Sequence, residues 1–521
     1  MQQVEPRRRR RVVAAVAVAV TLLVAAACSS SEGGSSGDGG SKSEGTSVTS
    51  TTKGSAGEES AGSTDEAATG PVSSFAPLTG GNGVRLVSAS PGAALADAGY
   101  EELEYSASGS AVAYAADELP TNGEWTLTPT DTPADYATRV VVRRPTDPKD
   151  FSGNVVVEWL NVSSGADAAP DYTYLADELL RQGDSWVGVS AQLIGIEGGE
   201  SAVAIEAGNG IKNDDPARYG LLHHPGDAYS YDIYTQVARG LRASNPDNPL
   251  DGFDVDQVLA IGESQSAFAL TTYANGVQPI SHEFDGFLIH SRGGAAAPLG
   301  TPGTGIDIAG TIGGEPTTVR TDLDVPTIIV ETETDVLGLL GYYPARQPDT
   351  DMIRVWEVAG AAHADKAQVG AAADMFACPT PVNDGQQMYV LRTALHDLTS
   401  WAAGGDAPPK AAPLETTGDG SSAVYVLDAV GNVAGGVRTP VVDAPVELLS
   451  GLPADGASVI CILFGQTNPI PPDTLAGMYP SRDAYIAAYT EATDAAIDAG
   501  FILEADREAV LADARPDRLP A

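Results

Sequence analysis

Three side chains in this sequence have the types and the order needed for nucleophilic chemistry: Ser264, Asp335 and His363. Ser264 lies in the stretch VLAIGESQS, residues 258–266. Apolar β-formers run into Gly262, and an Ala/Phe/Leu-rich stretch follows Ser266. That pattern predicts a strand, a sharp turn and a helix, with the serine at the apex. Such a turn is strained and needs small residues two positions away on each side. Gly262 meets the need. Ser266, small but carrying a Cβ, stands where glycine is usual. A strict Gly-x-Ser-x-Gly also occurs at 33–37, without strand or helix around it. Serine is a weak nucleophile at its free pKa and needs an adjacent base. Histidine suits because it titrates near the operating pH, and a carboxylate fixes its tautomer and stabilises the imidazolium.

The carboxylate comes from the run Glu331-Thr332-Glu333-Thr334-Asp335. Glu331 falls within a predicted strand. Asp335 sits where the following turn presents it, and Glu333 is the alternative. Of the six histidines only His363 and His396 follow this run. His396 lies in a predicted helix and reads as a surface or packing residue. His363 lies in a small-residue loop after a strand, where packing gives no reason for it. An oxyanion formed at Ser264 needs two N–H donors. One is expected from Gln265, directly after the serine, and the other from the loop after strand 155–162, at Asn161 or Val162, with Asn161 taken first. No dinucleotide fingerprint, P-loop, zinc-spaced cysteine pair or His-Glu-x-x-His motif is present, so neither cofactor nor metal is expected.

These groups need elements to deliver them. Strands are predicted over 84–88, 101–105, 124–128, 138–143, 155–162, 186–191, 257–261, 284–290, 327–332 and 353–358. Helices are predicted over 171–182, 229–243, 266–274, 386–403, 482–499 and 506–514. The near-continuous apolar run VVVEWLNV is the kind buried on both faces of a parallel sheet. Strand alternating with helix implies right-handed crossovers and a mostly parallel α/β sheet with helices on both faces. Function is then expected at the carboxyl ends of the strands, where the serine, aspartate and histidine all fall. The portion after residue 364 is expected to extend the same catalytic domain.

The N-terminus reads as a targeting segment. Arg7–Arg11 precede a Val/Ala/Leu run that ends in Val24-Ala25-Ala26-Ala27-Cys28. This is the form of a lipoprotein signal peptide over 1–27, with lipidation at Cys28. Residues 28–75 are rich in Ser, Gly and Thr and are expected to be a disordered tether; residues 76–521 are the expected catalytic domain. The protein is then exported and held to the membrane by its lipid, on the extracytoplasmic face. Export permits a disulfide between Cys378 and Cys461, which would stabilise by about 4–5 kcal/mol in the chain-entropy model. Two separate buried thiols are the alternative. The net charge of −41 excludes nucleic acid, whose phosphates need cationic partners.

The segment Gly262-Glu263-Ser264-Gln265-Ser266-Ala267 resembles the elbow of a family of bacterial α/β-hydrolase-domain proteins, many of them secreted by actinobacteria. Val157-Glu158-Trp159-Leu160-Asn161-Val162, Ser190-Ala191-Gln192, Asp215-Pro216-Ala217-Arg218-Tyr219, the Glu-Thr-Glu-Thr-Asp run, Ala361-Ala362-His363-Ala364-Asp365, Cys378 and Asn383-Asp384-Gly385 resemble the same family. The likeness covers roughly residues 80–514. It implies an α/β-hydrolase fold and hydrolase chemistry, and it names no substrate. The expectation is a lipid-anchored serine hydrolase acting on a small-molecule or lipid-like carboxylic ester through an acyl-enzyme. The rival reading is a ligand-binding or structural lipoprotein on an inactive hydrolase fold.

Overall fold

Alternating apolar stretches build a nine-stranded sheet. The computed structural model describes residues 70–89, 94–203 and 208–519. The signal segment, Cys28 and the tether up to residue 69 lie outside the described residues. The strands are β1 (Ser74–Pro77), β2 (Tyr100–Ala111), β3 (Ala134–Pro145), β4 (Asn154–Trp159), β5 (Ser185–Val189), β6 (Gln257–Glu263), β7 (Gly286–His290), β8 (Thr327–Thr332) and β9 (Ile353–Val358). Their order across the sheet is β1-β2-β3-β5-β4-β6-β7-β8-β9. From β5 to β9 every neighbouring pair is parallel, and β1, β2 and β3 join antiparallel at one edge. The expected mostly parallel α/β sheet is present.

Side chains along each strand alternate between two cores, as the period of two requires. Val155, Val157, Val258, Ala260, Phe287 and Ile289 face one layer, with α2 (Ser230–Arg242) and α3 (Gln265–Thr272). Val156, Leu259, Ile261, Leu288 and Val330 face the other, with α1 (Pro170–Gln182) and α4 (Gln387–Ala402). In α1, Leu175 and Leu179 are four apart and share the buried stripe, and Gly183 ends the helix in the left-handed conformation.

Several elements differ from expectation. The folded part begins inside the stretch assigned to the tether: Ser74–Pro77 pairs with β2, and Phe75 is buried. Residues 84–88 form no strand. Side chains satisfy Val84, whose N–H donates to Tyr219 Oη at 3.1 Å and whose carbonyl accepts from Arg139 at 2.9 Å, and only Val87 pairs through its backbone, in an isolated parallel bridge with Ala168. Of 124–128 only Thr128 is in a strand, the short Thr128–Pro129. The helix after the serine runs on through a π-helical turn, Tyr273–Val277.

The C-terminal portion packs back as part of the same compact unit as the sheet. Helix α5 (Arg482–Asp498) gathers a small core of Tyr485, Tyr489, Leu475 and Val510 against Tyr389 of α4. A two-stranded ribbon, Glu447–Ser450 with Gln466–Pro469, runs alongside. Cys378 and Cys461 are disulfide-bonded. No described helix is long and apolar enough to cross a membrane.

Candidate active site

The elbow is built as its residues dictate. Strand β6 ends at Glu263, α3 begins at Gln265, and Ser264 between them has φ +61° and ψ −119°. That conformation is sparsely populated for a residue with a Cβ. Gly262 is required by contact: a Cβ there would lie 2.8 Å from Ser266 Cβ and 3.1 Å from Leu270 Cδ1. The serine at 266 is thus accommodated because 262 is bare. The Ser264 N–H donates to the His290 carbonyl on β7 at 3.0 Å, which ties the apex to the neighbouring strand.

Three strand ends converge here. His363, in the loop after β9, has Nε2 2.9 Å from Ser264 Oγ and Nδ1 2.7 Å from Asp335 Oδ1. Asp335 lies in the first turn of the short helix Glu333–Leu337 after β8. Thr332 caps that helix, and Asp335 Oδ2 accepts from both its N–H and its hydroxyl at 2.7 Å. This reciprocal capping box fixes the carboxylate, and Ser291 Oγ donates to the same oxygen at 2.7 Å. The His363 N–H donates to Thr334 Oγ1 at 3.1 Å. Burial would raise the Asp335 carboxyl, but the His363 charge and these donors outweigh it and hold it below the usual value. Burial would lower His363; the charge and hydrogen bond of Asp335 outweigh that and raise it.

Glu333, the alternative acid, is two residues away and turned elsewhere. Its oxygens accept from the Gly360 N–H at 2.6 Å and the Gly451 N–H at 2.8 Å. It joins the loop that carries His363 to the C-terminal portion. The Ala364 N–H donates to the Leu463 carbonyl at 3.1 Å, close to Cys461, so that portion buttresses the loop a second time. His396 lies on α4, away from Ser264, and pairs with Glu178 at 3.0 Å.

The expectation for the second oxyanion donor needs correcting. Asn161 and Ala168 exchange backbone bonds at 2.9 and 2.8 Å, so the Asn161 N–H is committed. Its side chain instead donates to the Glu263 carbonyl at 3.0 Å. Val162 is the residue presented to the elbow: its N–H donates to Gln265 Oε1 at 3.2 Å. The direction of that bond is set by a chain of amides. Gln265 Nε2 donates to Gln192 Oε1 at 2.6 Å, and Gln192 Nε2 donates to Asp227 at 3.3 Å. Gln265 at the first helical position leaves its own N–H without an intrahelical acceptor. Among the described residues no cluster of His, Cys, Asp or Glu could hold a metal.

Sequence reading passed over two groups. One is Glu263, a carboxylate ending an otherwise apolar strand; that contrast was the available signal. The other is a second histidine–aspartate pair, His290 with Asp171 at 2.8 Å, both fully buried. Its partners lie 119 residues apart, so no local pattern joins them.

A serine at a strained strand-to-helix apex, on a mostly parallel sheet with helices on both faces, defines the α/β-hydrolase class. The chain belongs to the alpha/beta hydrolase domain family, whose description matches residues 72–512. Among solved structures it is similar to an esterase of Rhizomucor miehei, with 10% identity, 57% of this chain and 85% of that chain covered, and a TM-score of 0.29. An esterase of Pyrococcus furiosus has 10% identity, coverage of 53% and 89%, and a TM-score of 0.27. A glucuronoyl esterase of Solibacter usitatus has 11% identity, coverage of 47% and 80%, and a TM-score of 0.23. No curated protein matches the chain.

Proposed function

We propose that this protein is a serine hydrolase that cleaves carboxylic esters, with Ser264 as nucleophile, His363 as base and Asp335 as orienting acid. The observation that carries this reading is the unbroken hydrogen-bonded chain from Ser264 Oγ through His363 to Asp335, at 2.9 and 2.7 Å. Ser264 is partly exposed while its two partners are buried. Substrate can therefore reach the nucleophile, and water is kept from the pair that activates it.

In this mechanism His363 Nε2 takes the hydroxyl proton of Ser264 as Oγ attacks the ester carbonyl. The carbonyl becomes a tetrahedral oxyanion facing the Gln265 N–H. Val162 supplies the second N–H: its acceptor in the free protein is a side chain, the Gln265 amide, which moves aside as substrate enters, whereas the Asn161 N–H is held by the Ala168 backbone. The proton on Nε2 passes to the leaving alcohol, leaving an acyl-serine. Water then attacks, His363 takes its proton, and Ser264 is regenerated with release of the acid.

The N-terminal segment supports export and anchoring through Cys28, with the chain from Ser29 to about Gly70 holding the folded part off the membrane. Two measurements test the whole reading. A fluorophosphonate probe should label the wild type at Ser264 and leave Ser264→Ala unlabelled. p-Nitrophenyl esters of increasing acyl length should be hydrolysed with a preference among them. No labelling and no turnover across short, long and aromatic esters would favour a binding lipoprotein instead.

A further inference from the structure

Glu263 stands between the elbow glycine and the serine, at the end of β6. It is 3% exposed. Its Oε1 lies 3.7 Å from His363 Nε2, the nitrogen that faces Ser264. Oε2 accepts from Gln368 Nε2 at 3.3 Å, from the short helix Lys366–Val369 that follows the base loop. No lysine or arginine forms an ion pair with it among the described residues. The groups facing it are His363 from the loop after β9, His290 on the adjacent strand β7, Asp171 and Tyr174 on α1, Asp335 after β8, and Gln368.

We propose that Glu263 is a positioning residue for the base, a second carboxylate that flanks Nε2 and stabilises the imidazolium formed when Ser264 gives up its proton. The inference rests on the hydrolase reading above. Asp335 neutralises the Nδ1 side of His363, but the proton arrives at Nε2. A separation of 3.7 Å is beyond hydrogen-bonding reach and well within Coulombic range, where burial weakens screening. Glu263 therefore stabilises the charge without capturing the proton that the leaving alcohol needs. The donor on Gln368 holds the second oxygen in place.

Burial pushes the Glu263 carboxyl up to about 7. Its charge adds to that of Asp335 in raising His363 against burial. The sign follows directly. Removing the Glu263 charge lets His363 lose its proton at lower pH, so the acid limb of activity moves down. It also leaves the imidazolium less stabilised, so the plateau falls.

The test compares wild type, Glu263→Gln and Glu263→Asp. The His363 imidazole is followed by NMR and assigned by its loss in His363→Ala. Glu263→Gln should lower its midpoint by about one pH unit, move the acid limb of kcat/KM by the same amount, and lower the plateau about tenfold with KM little changed. Glu263→Asp keeps the charge on a shorter stem and should fall between. An unmoved His363 midpoint in a folded Glu263→Gln protein would overturn the proposal. Failure of Ser264 to label would strike the hydrolase reading instead, and the His363 titration would remain readable.

Discussion

His363 and His290 are each held through Nδ1 by a buried aspartate, Asp335 at 2.7 Å and Asp171 at 2.8 Å. Both follow from strand ends in the same sheet. The difference lies at the other ring nitrogen. His363 Nε2 meets Ser264 Oγ at the edge of solvent. His290 Nε2 is buried and has no hydrogen-bond partner among the described residues, and Asp171 Oδ2 is likewise unpartnered. The His290 backbone holds the Ser264 N–H, and its ring faces Glu263 without reaching the serine. A histidine on an aspartate is thus an orienting device in either place. It becomes a base only where a nucleophile occupies Nε2 and substrate can enter. Burial would lower His290 as it would His363, and the Asp171 hydrogen bond and charge outweigh it. The second pair is therefore a candidate for internal charge balance beneath the elbow.

The comparison breaks most visibly at the reacting pair. Ser264→Ala or His363→Ala should lower kcat by about 10⁴–10⁶, with the double variant no worse than Ser264→Ala alone. Near-full esterase activity in a folded Ser264→Ala protein would end the mechanism. Asp335→Asn should cost less, about 10²–10⁴ in kcat, because the acid orients the base and never bonds to substrate. Wild-type turnover in that variant would move the acid elsewhere.

At the buried pair the same operation should read out in stability. His290→Asn removes the buried imidazole that Asp171 bonds and should destabilise by about 3–5 kcal/mol, while kcat in the folded protein stays within about tenfold. Denaturant unfolding beside a rate measurement separates the two, and a kcat loss comparable to that of Asp335→Asn would merge the two dyads into one catalytic unit.

The smallest change is expected at Glu333. Glu333→Gln should cost about 1–3 kcal/mol, since an amide cannot accept from both the Gly360 and the Gly451 N–H groups, with activity within about tenfold. Its pH dependence has a definite sign. Burial pushes the Glu333 carboxyl up to about 7 from an ordinary 4.5. The folded protein then binds that proton more tightly than the unfolded chain does. Its contribution is full below the ordinary value and is lost as pH rises through about 7. Thermal unfolding between these limits should therefore depend less on pH in Glu333→Gln. A steeper dependence in the variant would show that the donors, and not burial, govern this carboxyl.

The sequence by itself determined the elbow, the parallel sheet and the candidate trio, because each is written in contiguous residues. Gly262 before Ser264 permits the turn, and the near-continuous apolar runs of β4 and β6 call for burial on both faces of the sheet. The run from Glu331 to Asp335 offered Asp335 with Glu333 as the alternative, and the capping box with Thr332 that turns Asp335 toward the histidine was settled by the fold. The tertiary structure alone decided what depends on approach between distant segments. Whether Asn161 or Val162 faces the serine turned on a backbone bridge to Ala168, beyond the end of the strand. The task of Glu333 turned on Gly451, 118 residues further along. The Asp171–His290 pair and the contact of Glu263 with His363 arose because α1, β6, β7 and the loop after β9 meet at one end of the sheet. A buried charge is satisfied by whatever the fold brings within a few ångströms, and sequence spacing holds no record of that distance.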